Sequence, residues 1–524
     1  MPAGEPGAAA SRPEVRAPGG TLRGLVEAGV AVFRGIPYAE PPVGALRFAA
    51  PRPAPAWDGV RDAAAYGPPP PQGGHFGMDR LSAGAGADDW LTVNVWTPDP
   101  GPAAGLPVLV WIQGGGYLIG SSGLPEYDGG RLARDGVVVV TFNYRVGVEG
   151  FAQLDGAPAN RGLLDQVAAL EWVRANIAAF GGDPSRVTIL GQSAGGGAVA
   201  ALLVMPAAAG LFRRAAAQSL PGTFFSAELA ADIAAACAAE LDRRPTLDDL
   251  RDVAPAQLTA AADAVGATMG RRVGRWGRPA YRSVLFSPVV DGEVLTGTPW
   301  QALADGAARD VDLLAGHTRD EHRLFTALDG LLGEVSEEQA AEALDALAPG
   351  PDGARRYREA FAEATAEQLY ELVQSDWLFR MPSLRVAEAH AAAGGRTYVY
   401  ELTWPAPGMG GILGACHGLD VPLVFGNLDR GQPALLIGEA AAEQANELSA
   451  RMRAAWVSFA TEGDPGWPAY DPERRSVRCF NAPCVTGAYP EERSRQIWFD
   501  HSFAALPLVQ LDPASSPGRI SRDS

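Results

Sequence analysis

The stretch at residues 186–197, RVTILGQSAGGG, most constrains what this chain can fold into. A β-branched, apolar run ends at Gly191, and small residues suited to a helix follow Gly195. Gly191-Gln-Ser-Ala-Gly195 fits the G-x-S-x-G pattern, in which a serine occupies a tight turn between a strand and a helix. Such a turn exposes the hydroxyl of Ser193, with the amide of Ala194 and a helix N-terminus beside it, where a negative oxygen is stabilised. The stretch therefore predicts a nucleophilic serine.

Apolar runs before that stretch predict a parallel sheet. Residues 106–112 and 136–142 are almost wholly apolar, as in parallel strands that are buried on both faces. Residues 162–180 place apolar side chains at helical spacing, and the strand that leads to the serine follows. This alternation predicts βαβ units and an α/β fold class. Further elements are predicted as a hairpin within 21–33, strands at 285–290, 311–315 and 397–402, and mainly helical segments at 213–268, 336–393 and 439–462.

The chain is interpreted as one domain between two unstructured ends. A length of 524 residues would favour several domains on size alone, but no internal repeat and no linker occurs after residue 20. Residues 1–20 are rich in Pro, Ala and Gly and are predicted to be disordered, and residues 511–524 are predicted to be a flexible tail. Residues 21–510 are predicted to form a single α/β domain with large helical insertions.

The composition argues against several classes of partner. A formal net charge of −18 disfavours binding to nucleic acid or to an anionic membrane surface. No apolar run reaches 18 residues, and the N-terminus lacks the features of a signal peptide, so we expect no membrane span and a cytoplasmic protein. The four cysteines are too few and too scattered for a disulfide framework, and Cys479 and Cys484 lack a second pair for a zinc site. We expect no metal, and a monomer or a weak homodimer.

A nucleophilic serine needs a base, and the chain has six histidines. His417 lies in a loop after a predicted strand and before an apolar segment, where an active-site histidine belongs, although it could instead cap the following helix. His75, His390 and His501 lie in a glycine-rich loop, in an alanine-rich helix and near the C-terminus, where surface or local hydrogen-bonding roles are more common. His417 is therefore the predicted base.

The acid that orients the base is predicted after the strand at 311–315. One residue too many separates His317 from His322 for the H-x-x-E-H zinc helix, so the stretch does not predict a metal site. Asp320 and Glu321 remain as candidate acids at the carboxyl end of a strand, where ligands and catalysis gather in open α/β sheets. With Glu321, the order along the chain is nucleophile, acid and base, as in serine hydrolases with the G-x-S-x-G turn.

Three consecutive glycines at 114–116 come directly after the predicted strand at 106–112. Because they carry no side chains, their backbone N–H groups can approach a ligand closely. A bare triglycine can also be only a turn. Its position one βα unit before Ser193 fits the second element of an oxyanion hole.

These and further motifs resemble the type-B carboxylesterase family of α/β-hydrolases. The layout is close to bacterial para-nitrobenzyl-esterase-like enzymes and more distant from cholinesterases. The resemblance runs from about residue 21 to about residue 499, and its motifs are FRGIPYA at 33–39, PPVG at 41–44, LRF at 46–48, DWLTVNVWTP at 89–98, NYRVG at 143–147, GLLDQ at 162–166, FGGDP at 180–184, DE at 320–321, HG at 417–418 and WxxFA at 456–460. It implies the α/β-hydrolase fold, with a mostly parallel central sheet, helices on both faces and large helical insertions.

The resemblance also implies a role for each candidate residue. It selects Glu321 over Asp320 as the acid of a triad with Ser193 as nucleophile and His417 as base. It also implies the oxyanion-hole donors Gly115, Gly116 and Ala194 and the supporting residue Ser219. Apart from the resemblance, Gln192 is a second candidate supporting residue, and the candidate pocket residues, each of a type that is more often core than substrate contact, are Tyr117, Leu220, Phe286 and Phe325. Four departures from the family pattern occur. Gln113 replaces the usual histidine before the glycines, and His322 stands where glycine is common after the acid. Trp90 replaces a cysteine that forms a disulfide in secreted relatives, and Leu220-Pro221 replaces a Ser-Gly near the expected acyl pocket.

The activity that this resemblance implies is hydrolysis of small to medium, largely apolar carboxylic esters through an acyl-enzyme on Ser193. No cofactor and no metal are needed, because the serine, the histidine and the backbone amides supply the chemistry. The same triad also serves amide, carbamate or lactone hydrolysis. A non-catalytic binding protein on the same fold is the alternative from another class.

Overall fold

The structure is a computed structural model, which describes residues 12–74, 88–438 and 442–509. Its strands are β1 (Glu14–Ala17), β2 (Gly20–Arg23), β3 (Leu25–Glu27), β4 (Val30–Pro37), β5 (Val60–Asp62), β6 (Thr92–Thr97), β7 (Leu106–Ile112), β8 (Val138–Phe142), β9 (Gly182–Gln192), β10 (Arg214–Gln218), β11 (Phe225–Ser226), β12 (Val289–Val290), β13 (Asp312–Thr318), β14 (Thr397–Leu402), β15 (Ser476–Phe480) and β16 (Val485–Ala488).

Its α-helices are α1 (Gly130–Arg134), α2 (Gly147–Phe151), α3 (Arg161–Asn176), α4 (Ala194–Val204), α5 (Ala227–Ala239), α6 (Leu247–Leu250), α7 (Pro255–Ala267), α8 (Val273–Trp276), α9 (Arg278–Tyr281), α10 (Pro299–Ala304), α11 (Arg323–Leu328), α12 (Glu337–Leu347), α13 (Gly353–Ala360), α14 (Ala366–Ser375), α15 (Met381–Ala392), α16 (Asp420–Phe425), α17 (Ala434–Ile437), α18 (Ala442–Glu462) and α19 (Glu492–Ile497). A π-helical turn, Asp376–Arg380, joins α14 to α15.

One large sheet organises these elements. Its strand order is β16-β15-β14-β13-β10-β9-β7-β8-β6-β4-β3. The seven strands from β15 to β8 in this order pair in parallel, and antiparallel strands are added at both edges. The predicted mostly parallel sheet is confirmed.

Both faces of the sheet are covered, because alternate side chains along a strand point to opposite faces. In β7, Val108, Val110 and Ile112 belong to a hydrophobic cluster that also contains the buried side chains of α3 and α4. Leu109 and Trp111 belong to a second cluster, which contains side chains of α16 and α18. A strand buried on both faces has no polar alternation, which is why β7 could be predicted from its apolar run.

Several predicted elements are confirmed. The strands predicted at 106–112 and 397–402 are β7 and β14, and the predicted hairpin contains β3 and β4. The helix predicted at 162–180 is α3 followed by a short 3-10 turn, Ile177–Phe180. Helices α12 to α15 lie within the segment at 336–393.

The prediction for residues 213–268 as mainly helical is wrong at its start, where β10 lies. Its sequence, RAAAQ, has no β-branched or aromatic residue, so no strand signal is visible. The strand forms because it is buried and pairs in parallel with β9 on one side and β13 on the other. Tertiary pairing therefore overrides the helical preference of three alanines.

Two further predictions need correction. The strand predicted at 285–290 is reduced to β12, because only Val289–Val290 pair with a neighbouring strand. Residues 14–17, within the segment predicted to be disordered, form β1, which buries Val15 and Ala17 against the fold. The rest of the predicted disordered start (1–11), the predicted tail at 511–524 and His75 lie outside the described residues.

None of the described helices combines the length and the apolarity that a membrane crossing requires.

Candidate active site

Ser193 lies at the junction of β9 and α4, at the carboxyl edge of the parallel strands. Its φ of 59° and ψ of −128° lie outside the favoured regions for a residue with a side chain. The sharp turn depends on its glycine neighbours: a Cβ on Gly191 would lie 2.5 Å from the Gly195 carbonyl oxygen. The amide of Ser193 donates to the Gln218 carbonyl at 3.0 Å. The missed strand β10 therefore holds the turn in place.

Glu321 and His417 meet beside this turn. Glu321 follows β13, His417 precedes α16, and His417 Nδ1 lies 2.5 Å from Glu321 Oε2. The other carboxylate oxygen of Glu321 accepts from the Thr318 amide at 2.9 Å. Burial alone would raise the pKa of Glu321, but the charge and hydrogen bond of His417 outweigh it, so the pKa is lowered. The carboxylate is thus held ionised in the protein interior.

Asp320, the neighbouring acid, has a different task. It accepts a hydrogen bond from the Ala415 amide at 2.8 Å, and its backbone bridges to Cys416. Its carboxylate is also bound by Arg319. Asp320 therefore anchors the loop that carries His417, while Glu321 contacts the imidazole.

The second ring nitrogen of His417 contacts Gln192. The Gln192 Nε2 lies 3.2 Å from His417 Nε2. If Nδ1 carries the proton that Glu321 accepts, Nε2 is an acceptor and the Gln192 amide donates to it. Within the described part of the chain, the Ser193 hydroxyl makes no hydrogen bond of its own, so the amide of Gln192 occupies the position that the hydroxyl needs.

The triglycine loop lies against the serine turn. A Cβ on Gly114 would lie 3.2 Å from the Ser193 Cβ and 2.8 Å from the Gln192 carbonyl oxygen. Gly115 and Gly116 have φ values of 110° and 63°, and the Gly115 carbonyl accepts from the Leu118 and Ile119 amides at 3.0 and 3.1 Å. The N–H groups of Gly115 and Gly116 make no hydrogen bond to another described residue. Both amides are therefore free donors, among the described residues, in a loop that packs against the serine turn.

Ala194 begins α4, where the amide has no acceptor within its own helix. Its N–H therefore adds a third free donor next to Ser193.

Two phenylalanines pack on the imidazole. The Phe379 ring stacks on His417 with centroids 4.2 Å apart and an interplanar angle of 28°, and Phe325 lies at 5.3 Å. Phe325 was among the predicted pocket residues, whereas Phe379 was not. A possible signal was Pro382, which interrupts a helical pattern three residues after Phe379.

The other predicted pocket residues lie deeper. Tyr117, Leu220 and Phe286 are buried in the hydrophobic core. The ring of Tyr117, which directly follows the triglycine loop in sequence, packs on Phe151 with centroids 4.9 Å apart. The structure thus brings only Phe325 of the four into ring contact with His417.

Ser219 adjoins the acid. It has a φ of 47°, and its amide donates to the Gly316 carbonyl at 2.7 Å. Its hydroxyl helps to lower the pKa of Glu321, although the two groups do not have the geometry of a good hydrogen bond.

Gln113 and His322, two of the departures from the family pattern, are both buried. The side-chain amide of Gln113 has no hydrogen-bond partner among the described residues, while the backbone carbonyl of Gln113 accepts from the Tyr144 hydroxyl at 2.7 Å. Burial lowers the pKa of His322 well below its usual range, and its Nδ1 lies 3.2 Å from the Thr326 hydroxyl. His322 is therefore a neutral neighbour of His417.

A model of the carboxylesterase family matches residues 11–494 of the chain. The chain belongs to the carboxylesterase family. This carboxylesterase is 37% identical over 494 residues to the para-nitrobenzyl esterase of Bacillus subtilis (strain 168), with 92% of this chain and 97% of that protein covered. It is 36% identical over 479 residues to the phenmedipham hydrolase of Pseudarthrobacter oxydans, with 88% and 93% covered.

Solved structures agree with the sequence comparison. The carboxylesterase EST55 of Geobacillus stearothermophilus superposes with a TM-score of 0.82 at 36% identity, covering 93% of this chain and 99% of that one. A structure of PNB esterase superposes with a TM-score of 0.80 at 36% identity and the same coverage. The predicted family and the predicted α/β-hydrolase fold are confirmed. The carboxylesterase is a carboxylic ester hydrolase, and a serine mechanism is general in its family.

Proposed function

We propose that Ser193, Glu321 and His417 are the catalytic triad, and that the ester is cleaved through an acyl-enzyme on Ser193. The observation that carries this proposal is the 2.5 Å contact between His417 Nδ1 and Glu321 Oε2, with the opposite ring nitrogen facing the Ser193 turn through Gln192. A buried carboxylate on one side fixes the tautomer and offsets the charge of the imidazolium.

In the first half of the reaction, His417 Nε2 removes the Ser193 proton as the serine oxygen attacks the ester carbonyl. The Gln192 amide must release Nε2 for this step. The resulting oxyanion is stabilised by the N–H groups of Gly115, Gly116 and Ala194. Losing one such donor costs about 2.7–4 kcal/mol of transition-state stabilisation in comparable sites.

The imidazolium then gives its proton to the leaving alcohol, which leaves the acyl group on Ser193. In the second half, His417 takes a proton from water, the hydroxide attacks the acyl-enzyme, and Ser193 regains its proton as the carboxylic acid departs. Ser219 supports the acid, and Gln192 contacts the base at Nε2 before the reaction; neither residue reacts.

We further propose small to medium, largely apolar substrates. The support is the partly exposed aromatic ring of Phe325 beside His417. Relatives named para-nitrobenzyl esterase, phenmedipham hydrolase and fumonisin B1 esterase are consistent with organic esters of varied size. Amide, carbamate and lactone hydrolysis by the same residues is the alternative.

A cytoplasmic location and a monomeric or weakly dimeric state are also proposed. The four cysteines are free thiols in the structure. Cys479 and Cys484 pack toward opposite faces of the sheet, so the β15–β16 hairpin does not favour a disulfide between them.

The test pairs a serine-directed phosphonate probe with chromogenic esters graded by acyl length. Ser193→Ala should abolish both labelling and turnover, whereas Ser185→Ala, at the exposed start of β9, where the hydroxyl donates to Asp183, should alter neither. Full turnover by Ser193→Ala would show the nucleophile to be wrong. Parallel assays with amide, carbamate and lactone analogues decide among the substrate classes.

A further inference from the structure

The helical segment formed by α14 and α15 is interrupted by an irregular turn, and this turn carries Phe379, the residue whose ring stacks on His417. The turn Asp376–Arg380 is π-helical, with the Met381 amide donating five residues back to the Asp376 carbonyl. Pro382 explains the irregularity, since a proline at this position has no N–H for the Leu378 carbonyl and would clash with it in an α-helix. The extra residue in the turn moves the Leu378 carbonyl out of the helix, where the Gly222 amide donates to it at 2.7 Å.

Buried charges fix this turn. Arg380 Nε lies 3.2 Å from Asp376 Oδ1, and Arg380 Nη2 lies 2.7 Å from Glu491 Oε2. The Tyr357 hydroxyl donates to Asp376 Oδ2 at 2.7 Å. A π-helical turn is rare and occurs frequently at functional sites. Here its effect is to place the Phe379 ring, which would otherwise rotate away along the helix, against the catalytic imidazole.

We propose that Phe379 is a positioning residue for ester hydrolysis, whose ring face holds the His417 imidazole in line with Glu321 and stabilises the imidazolium that forms in the transition state. This inference rests on the proposed function of Ser193 and His417. The aromatic face is electron-rich and attracts a cation within about 6 Å of its centroid. The centroid separation of 4.2 Å and the angle of 28° meet that condition. Phe325, stacked on Phe379 at 6.0 Å, supports the ring from the side.

The other groups that face His417 are accounted for. Glu321 is hydrogen-bonded to Nδ1, the Gln192 amide contacts Nε2, and Asp420 and His322 are within electrostatic reach of the ring. Asp420 is itself bonded to Gln218. The Phe325 ring also packs on His417, and it stacks on Phe379. The polar contacts do not involve the Phe379 side chain, so a substitution at Phe379 leaves the polar partners in place and changes the aromatic packing on the imidazole.

The test compares Phe379→Leu, which removes the aromatic face, with Phe379→Tyr, which keeps it. Trp377→Phe is the control within the same turn, since this buried residue has no ring contact with His417. We expect Phe379→Leu to lower kcat about 2- to 30-fold, from the usual strength of a cation–π contact, with KM changed less than about twofold. The acid limb of the kcat/KM profile should move to lower pH, because the imidazolium is less stable. Phe379→Tyr and Trp377→Phe should keep the wild-type profile.

The inference is overturned if Phe379→Leu keeps the wild-type kcat and acid limb, or if Phe379→Tyr is impaired as much as Phe379→Leu. If the Phe379→Leu variant does not fold, Phe379→Met serves as the second variant, because it also removes the aromatic ring. A failure of the proposed function would be observed in a different experiment, in which the Ser193→Ala variant keeps its turnover.

Discussion

The triglycine loop at 114–116, the proposed oxyanion element, allows a sharp test, since one added methyl group should separate catalysis from folding. Gly115 has a φ of 110°, which a residue with a Cβ adopts only under strain. A Cβ added there would collide with the Ile119 carbonyl oxygen, which is backbone and cannot rotate away. Gly115→Ala must therefore move the loop and displace the Gly115 and Gly116 amides from the position of the developing oxyanion.

The magnitude has two parts. Backbone strain of this kind costs about 1–3 kcal/mol of folding stability. Displacement of one oxyanion donor costs about 2.7–4 kcal/mol in the transition state, which corresponds to a loss of about 10²–10³ in kcat. KM should change little, because the donors act on charge that develops after binding.

Gly136→Ala is the matched control. Gly136 has a similar φ of 96°, but no atom lies within 4 Å of a Cβ added there. It should lose a similar amount of stability in urea unfolding and keep its kcat, measured on a chromogenic ester and normalised to phosphonate-titrated active sites. A folded Gly115→Ala variant with kcat within about threefold of wild type would refute the assigned role of this loop.

Three more predictions concern the triad and its surroundings. Glu321→Gln should lower kcat by on the order of 10³–10⁴, because an amide no longer fixes the tautomer of His417; a kcat within tenfold of wild type would exclude Glu321 as the acid. Gln192→Leu removes the amide that occupies His417 Nε2, so phosphonate labelling of the nucleophile should become about 2- to 10-fold faster; slower labelling would indicate that the amide holds the ring in place. Burial lowers the pKa of His317 to about 4, so its unfolded form takes up a proton near pH 6.5 while the folded form does not until about pH 4. This group should therefore lower the free energy of unfolding by about 3 kcal/mol as the pH falls from about 6.5 to about 4. In urea unfolding, His317→Gln should lack that part of the pH dependence. If His317→Gln keeps the pH dependence of the wild type, His317 is not buried as a neutral group.

Local features were readable from the sequence because their physical causes are local. The apolar runs of β7 and β8 and the glycine-flanked serine each carry their own signal of burial or backbone geometry. The carboxyl ends of the parallel strands then place the triglycine loop, Ser193 and Glu321 at one edge of the sheet. The family resemblance and the fold followed from these stretches, and the comparisons confirm both.

Other features exist only after the chain has folded. The sequence of β10 shows no β-strand propensity, and the strand forms because it pairs with β9 on one side and with β13 on the other. The residues alone did not separate Asp320 from Glu321, since adjacent acids share the same pattern, but their side chains turn to different partners across the loop.

The sequence by itself determined the kind of reaction, because a strand–turn–helix serine requires particular residues at fixed short spacing. Tertiary structure decided what surrounds the base: Gln192 on one nitrogen, Glu321 on the other and Phe379 on its face. Those contacts join segments as far as 225 residues apart, and no local pattern of residues specifies a meeting over that distance.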